Sequence, residues 1–191
     1  MLLSVGSTGP LYVFDNPARI LVVDDDPILR EFAVSQLVHP GGEIDVAADG
    51  EEAWERLETG PEVDLVLTDL EMPRLGGFGL LDRIRTSPRH GHLPVVVITS
   101  RDDMFAIDRA YELGATSFVT KPVNWRLMGY QLRYVLRGSR MEAEIRAARD
   151  EAREAVELRT SLLALLQHET RTPLNAVIGY AEILRAMPGG A

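Results

Sequence analysis

The chain has 191 residues, a formal net charge of −9, 46% hydrophobic and 26% charged residues, and no cysteine. This length allows one full core plus an extension, or two small units; the acidic balance argues against general nucleic-acid binding through a basic surface, and a disulfide framework or thiolate metal site is excluded. The start, MLLSVGSTGPLYVFDN, lacks the positive region of a signal peptide, and no apolar run approaches the roughly 20 residues of a membrane span, so a cytoplasmic protein making no use of membrane or nucleic acid is expected.

Residues 1–17 read as a leader, with a short strand at Leu11 to Phe14. From Arg19, RILVV is an unbroken apolar run, the pattern of a strand buried on both faces. Asp26-Pro27 opens a helix, Asp as N-cap and Pro at the first helical position, which runs to about Val38 and ends at HPGG. EIDVAA is a second strand, Asp49-Gly50 a turn, and EEAWERLE a short helix. VDLVLTD is a third strand, followed by the loop EMPRLGG, the helix GLLDRIRTS and the strand LPVVVITS. MFAIDRAYELGA is a helix closed by Gly114, SFVT a short strand, and another helix begins after Lys121-Pro122. Strands alternating with helices in this way predict right-handed crossovers and a parallel α/β sheet covered on both faces.

In such folds ligands bind at the carboxyl ends of the strands. The chemically loaded residues fall there: Asp24 and Asp25 after the first strand, Asp69 at the end of the third, Thr99 and Ser100 at the end of the fourth, and Lys121 at the fifth. Asp26 is accounted for as a helix cap, but three carboxylates, a hydroxyl and a lysine at one sheet edge exceed what solubility requires. Clustered carboxylates raise one another's pKa unless a cation neutralises them, and an all-oxygen set suits a hard cation such as Mg2+. A metal, a lysine and a hydroxyl around one carboxylate suit phosphoryl transfer, with the central carboxylate as nucleophile.

ILVVDDDP, LVLTDLEMPRLGG, VVVITS and FVTKP occur in the order and spacing of the receiver domain of two-component response regulators, and residues 18–137 resemble that family. The resemblance implies a five-stranded, doubly wound, flavodoxin-like domain with Asp69 as phospho-acceptor. It implies Mg2+ bound by Asp25, Asp69 and the backbone carbonyl of Glu71, with Asp24 helping to hold it through water. Lys121 is implied to pair with the phosphoryl group and Thr99 to hydrogen-bond it, while Phe118 reorients as the switch aromatic. Two positions depart from the commonest pattern: Gly76 stands where an Asp often precedes the glycine, here Gly77, and Glu71 adds a fourth carboxylate that bears on the dephosphorylation rate.

Beyond the receiver, Gly138-Ser139 is the one breaker pair, and residues 138–161 read as a coiled-coil linker. Met141, Ile145, Ala148, Ala152 and Ala155 alternate steps of four and three, the seam of a coiled coil, before Arg159 interrupts it and Leu162 and Leu166 resume. A single solvated charged helix is the bland alternative; a parallel homodimer is expected, because the seam runs into a leucine-rich stretch that must be buried.

Residues 162–191 contain HETRTPLNAVIGYAEIL, which resembles the H-box of histidine-kinase dimerisation domains of the HisKA type. At 100° per residue, Leu163, Leu166, Val177, Ala181 and Leu184 fall opposite His168, while Thr172 and Asn175 share its side. The resemblance implies that His168 is a second phospho-acceptor, that Glu169 orients and deprotonates it, and that Thr172 is the polar residue of members that also dephosphorylate partner receivers. Pro173 is expected to bend the helix. The hairpin's second helix and the ATP-binding domain would follow Ala191, so the parent chain is expected to be a hybrid histidine kinase. The alternatives are a stand-alone adaptor that dimerises but lacks kinase activity, and a structural dimer in which the H-box is a relic. Partners would be a cognate histidine kinase or phosphotransfer protein and a partner receiver. A continuous helix from Val123 to His168 would be about 68 Å long, so phosphate exchange between Asp69 and His168 within one chain is not expected. His90 and His92 read as a solvated loop and His39 as a helix end facing water.

Overall fold

The structure is a computed structural model and describes residues 17–37, 42–100 and 104–186, with side chains in the final helix described to residue 163 and at 179. The expected strand at 11–14, His39 and the side chains of His168, Glu169 and Thr172 lie outside the described residues.

The elements are β1 Arg19–Val23, α1 Pro27–Leu37, β2 Glu43–Ala47, α2 Gly50–Thr59, β3 Leu65–Asp69, α3 Gly77–Thr86, β4 Val95–Ser100, α4 Met104–Glu112, β5 Ser117–Lys121 and α5 Trp125–Ala186. The strands form one parallel sheet in the order β2-β1-β3-β4-β5. Alternate residues of each buried strand serve opposite faces. Leu21, Val23, Val66 and Val97 pack with α2, α3 and α4, through residues such as Ala53, Leu57, Leu81, Ile84 and Ala110. Ile20, Val22, Leu67 and Ile98 pack on the other face with Ala33 and Leu37 of α1 and Met128 and Leu132 of α5. Two apolar faces per strand explain why β1, β3 and β4 lack polar alternation.

Local chemistry sets the helix ends. Asp26 caps α1, its carboxylate accepting from Ile28 N at 2.8 Å. Gly114, at φ 89°, takes the left-handed conformation that closes α4. The expected Asp49-Gly50 turn is instead a helix start: the Asp49 carboxylate accepts from Glu51 N and Glu52 N, and α2 begins at Gly50. Glu52 reaches back to accept from Ala48 N at 2.8 Å, a reciprocal arrangement close to a capping box. α5 begins at Trp125 rather than Val123, because Asn124 caps it, accepting from Leu127 N at 3.1 Å.

The chain divides into two units, Met1–Met141 and Glu142–Ala191. The first holds the sheet and its helices; Arg140, near its end, donates to the Pro17 carbonyl at 2.7 Å. The second is helical from Glu142 to Ala186, with exposed side chains over residues 147–163. Among the described residues no helix is long and apolar enough to cross a membrane.

Candidate functional site

The strand order reverses between β1 and β3, so the loops leaving their carboxyl ends diverge and open a crevice between them. Asp24 and Asp25 follow β1, and Asp69 is the last residue of β3. The switch in direction thus brings together carboxylates more than forty positions apart in the chain. One oxygen from each of Asp24, Asp25 and Asp69 lies within 4.8 Å of the others. Asp24 is 2% exposed and Asp69 5%, whereas Asp25 faces solvent.

Backbone donors and neighbouring side chains fix each group. Asp24 N donates to Ala47 O at 3.2 Å, its Oδ1 accepts from Asp26 N at 2.9 Å, and its carbonyl accepts from Arg30 at 2.5 Å. Asp69 Oδ1 accepts from Leu70 N at 2.7 Å and, at longer range, from Glu71 N at 3.4 Å. Thr68, beside it, donates its hydroxyl to the Asp69 carbonyl at 2.8 Å. Asp69 Oδ2 is left facing Lys121, whose Nζ is 2.5 Å away. Lys121 ends β5, and the peptide it makes with Pro122 is cis.

Burial is the main reason that the Asp24 carboxyl titrates above its ordinary 3.8, and the charges of Asp69 and Asp25 add to it, against the hydrogen bond from Asp26 and the attraction of Lys121. At Lys121, burial opposes the charge most strongly. The hydrogen bond to Asp69 and the charges of Asp69, Asp24 and Asp25 together outweigh it, so its pKa is raised. Three carboxylates with one ammonium leave net negative charge in a half-buried crevice. That donor set, all oxygen and without His or Cys, fits a hard divalent cation.

The other expected residues fall around this centre in graded fashion. Thr99 is 4% exposed, one residue beyond Ile98, which pairs with Asp69 in the sheet. Phe118 lies three residues before Lys121 on β5, half-buried, its ring edge-on to Tyr111 of α4 with centroids 5.9 Å apart. The Glu71 side chain is exposed and turned to solvent. His90 is not in a fully solvated loop: it is half-buried, edge-on to Trp54 at 5.8 Å, with Nε2 3.3 Å from Glu58 Oε1. His92 is exposed.

Sequence reading missed the bracing of the loop after Asp69. Arg74, at φ 60°, forms an ion pair with the buried carboxylate of Asp49, and Gly50 N donates to Leu75 O at 2.9 Å. The available signal was the Asp-Gly-Glu-Glu run at 49–52, a helix N-terminus rather than a turn.

Known proteins give the same picture. Over 157 residues, or 79% of this chain, the sequence is 35% identical to the 3',5'-cyclic-nucleotide phosphodiesterase regA of Dictyostelium discoideum, of which it spans 20%. It is 29% identical over 119 residues to the chemotaxis protein CheY1 of Helicobacter pylori, covering 62% of this chain and 96% of that protein. Among solved structures, the signal receiver domain of a signal transduction histidine kinase from Syntrophus aciditrophicus superposes with a TM-score of 0.59 at 28% identity, over 63% of this chain and 91% of that one. Chemotaxis response regulator CheY4 of Vibrio cholerae superposes with a TM-score of 0.58 at 27% identity, over 63% and 98%. The chain spans about a fifth of the slime-mould phosphodiesterase and nearly all of the chemotaxis proteins. Residues 20–133 match the response regulator receiver domain, and the chain belongs to that family.

Proposed function

We propose that Asp69 accepts a phosphoryl group and that the resulting change is passed along α5 to a histidine-kinase dimerisation helix carrying His168. The observation that carries the first half is the buried Asp69 carboxylate, held 2.5 Å from Lys121 Nζ and within 4.8 Å of the Asp24 and Asp25 carboxylate oxygens. An Asp69 oxygen attacks the phosphorus of a phosphohistidine donor. The P–N bond breaks, its electron pair returns to the imidazole, and an acyl phosphate is left on Asp69. Lys121 neutralises charge on the phosphoryl oxygens, and Thr99 supplies a hydroxyl to one of them. Asp25, Asp69 and the Glu71 carbonyl, with Asp24 behind them, would hold Mg2+, which would supply neutralisation of the negative charge at the site. The modification adds about one negative charge and new acceptor oxygens, which Thr99 and the Phe118–Tyr111 pair are placed to read.

The second half rests on sequence. His168-Glu169 followed by Arg-Thr-Pro-Leu-Asn has the spacing of a kinase phospho-acceptor helix, with Glu169 as orienting base and Thr172 as the residue used in partner dephosphorylation. The likeness to the receiver of a signal transduction histidine kinase supports placing a receiver in such a protein. The helix of residues 142–186 would form a homodimer, and the partners would be a histidine kinase or phosphotransfer protein and a further receiver. The competing reading, a dimerising adaptor without kinase activity, shares every step at Asp69.

The test is labelling with a small acyl-phosphate donor and Mg2+. Incorporation should be acid-stable, base-labile and absent from Asp69→Asn; label that survives this substitution defeats the assignment. Phosphohistidine appearing in the wild-type chain, but not in His168→Gln, on addition of a separate kinase ATP-binding domain would support the second half.

A further inference from the structure

We propose that Asp49 and Arg74, neither of them a donor to the cation, are positioning residues for it: their ion pair holds the loop after β3 on the course that keeps the Glu71 carbonyl in the donor set. The inference rests on the cation site assigned above and names what keeps that site assembled. Residues 70–76 have little to fix them from inside. The far end of the loop, Gly76, caps α3 without a side-chain hydrogen bond. Of the two polar side chains in the loop, Glu71 is exposed, and Arg74 pairs with the Asp49 carboxylate. Arg74 also sits at φ 60°, a left-handed conformation that is unfavourable for a residue with a Cβ. Such a conformation persists where surrounding groups hold it.

The group that holds it is stiff. The Asp49 side chain is 3% exposed, and three donors share its carboxylate: Glu51 N at 2.9 Å and Glu52 N at 3.1 Å on Oδ1, and the Arg74 guanidinium on Oδ2. A carboxylate bound by two N–H groups at a helix start cannot shift without unmaking the first turn of α2. The backbone reinforces the contact. Gly50 N donates to Leu75 O at 2.9 Å, an approach so close that a Cβ on Gly50 would lie 2.5 Å from that oxygen. The same stretch of chain reaches the other half of the site, where Ala47 O accepts from Asp24 N at 3.2 Å. Residues 47–50 are outside the carboxylate cluster. They are nevertheless bonded on one side to the turn that carries Asp24 and Asp25, and on the other to the loop that carries Glu71. They therefore set the spacing between the two halves. A donor loop held in advance need not be ordered by the cation, which tightens binding.

Calorimetric titration of the full chain with MgCl2 alone, without a phosphoryl donor, tests this. Arg74→Ala should weaken Mg2+ binding about tenfold, the usual effect of removing a group that orients metal donors. The sign is informative, because taking a positive charge away from an acidic site would by itself tighten a cation. Arg74→Gly should stay within about threefold of wild type, since glycine takes φ 60° without help from an ion pair. Binding by Arg74→Ala as tight as wild type, or equal weakening by alanine and glycine, overturns the proposal. Asp49→Asn keeps an oxygen for Glu51 N and Glu52 N, so α2 retains its cap, and it carries the test if Arg74→Ala does not fold. It too should weaken Mg2+ about tenfold, and adding Arg74→Gly to it should bring binding back close to that of Arg74→Gly alone. A double variant no tighter than Asp49→Asn also overturns the proposal. Asp25→Asn separates the two levels. If wild type takes up no Mg2+, or Asp25→Asn binds it unchanged, the cation reading fails and this inference with it. If Asp25→Asn loses binding while the Arg74 and Asp49 variants keep it, the positioning role alone is removed.

Discussion

Lys121 Nζ stands 2.5 Å from Asp69 Oδ2, across fifty-two residues of chain and one intervening strand. The contact ties the ends of β3 and β5 over β4 and leaves the Asp69 carboxylate paired but shielded from water. The raised pKa of Lys121 fixes its pH behaviour. A lysine held above its ordinary 10.5 contributes its full stabilisation below that value and loses it only as pH climbs through the higher folded value. The Lys121 charge is therefore constant over the neutral range.

Replacing that ammonium should slow phosphoryl transfer more than it harms folding. Lys121→Met is expected to lower the initial rate of Asp69 labelling roughly 100-fold, the usual effect of removing one preorganised group that faces developing negative charge. Lys121 is partly exposed, so the melting temperature should move little. Rapid-quench labelling at pH 7 measures the first and thermal melts the second. A labelling rate within a few-fold of wild type would mean that the contact is structural.

Gly77 governs the chain path just after Asp69. A Cβ at this position would lie 2.1 Å from the Asp69 carbonyl oxygen and 2.8 Å from Leu70 Cα, both backbone atoms that cannot turn aside. Gly77→Ala is expected to destabilise the receiver unit by about 3 kcal/mol, through overpacking, and to displace Asp69. Gly138→Ala, where a Cβ meets nothing within 4 Å, should instead gain about 1 kcal/mol of helix propensity. Urea unfolding of both variants checks the contrast.

Arg85 is the corresponding fixture at the opposite edge of the sheet. It donates to Gly114 O and Leu93 O, each at 2.8 Å, and to Gly91 O at 3.3 Å, binding the end of α3 to the loops that enter β4 and β5. Burial pushes its guanidinium pKa down, so the carbonyls hold the charge against desolvation. Arg85→Met should cost about 3 kcal/mol by stranding those acceptors. Labelling of Asp69 per folded molecule should be unchanged, since the amino ends of the strands are remote from its carboxylate at the opposite end of β3. Parallel melts and labelling at low temperature separate the two effects.

The sheet was legible because β1, β3 and β4 are buried on both faces and read as apolar runs, β1 followed by Asp24, β3 closed by Asp69 and β4 preceded by Pro94. The acidic centre was legible for a related reason: Asp24, Asp25, Asp69 and Lys121 all stand at strand ends. What stayed hidden depends on contacts between segments far apart in sequence. Asp49-Gly50 looks like a turn until its carboxylate is seen capping α2 and pairing with Arg74. His90 looks like a loop residue until Trp54 is found against it.

Asp24 offers the sharpest link between metal binding and stability. Burial, and then the nearby Asp69 and Asp25, raise its pKa above 3.8. A carboxyl with a raised folded pKa binds its proton more tightly in the native state, so the metal-free protein loses stability as pH rises from that value through the folded one. In chelator at pH 7, Asp24→Asn should therefore melt higher than wild type, and the gap should close as pH is lowered towards 4. Mg2+ should reverse the order. A cation bound only by the folded protein adds about 2.7 kcal/mol at a concentration 100 times its Kd, and the Asn variant, short of one carboxylate, should gain less at the same concentration. Melting curves across pH 4 to 8, with chelator and with Mg2+, give both comparisons. If Asp24→Asn melts lower than wild type in chelator at pH 7, the carboxylate is held favourably by its own hydrogen bonds, and the site does not depend on a cation to relieve it.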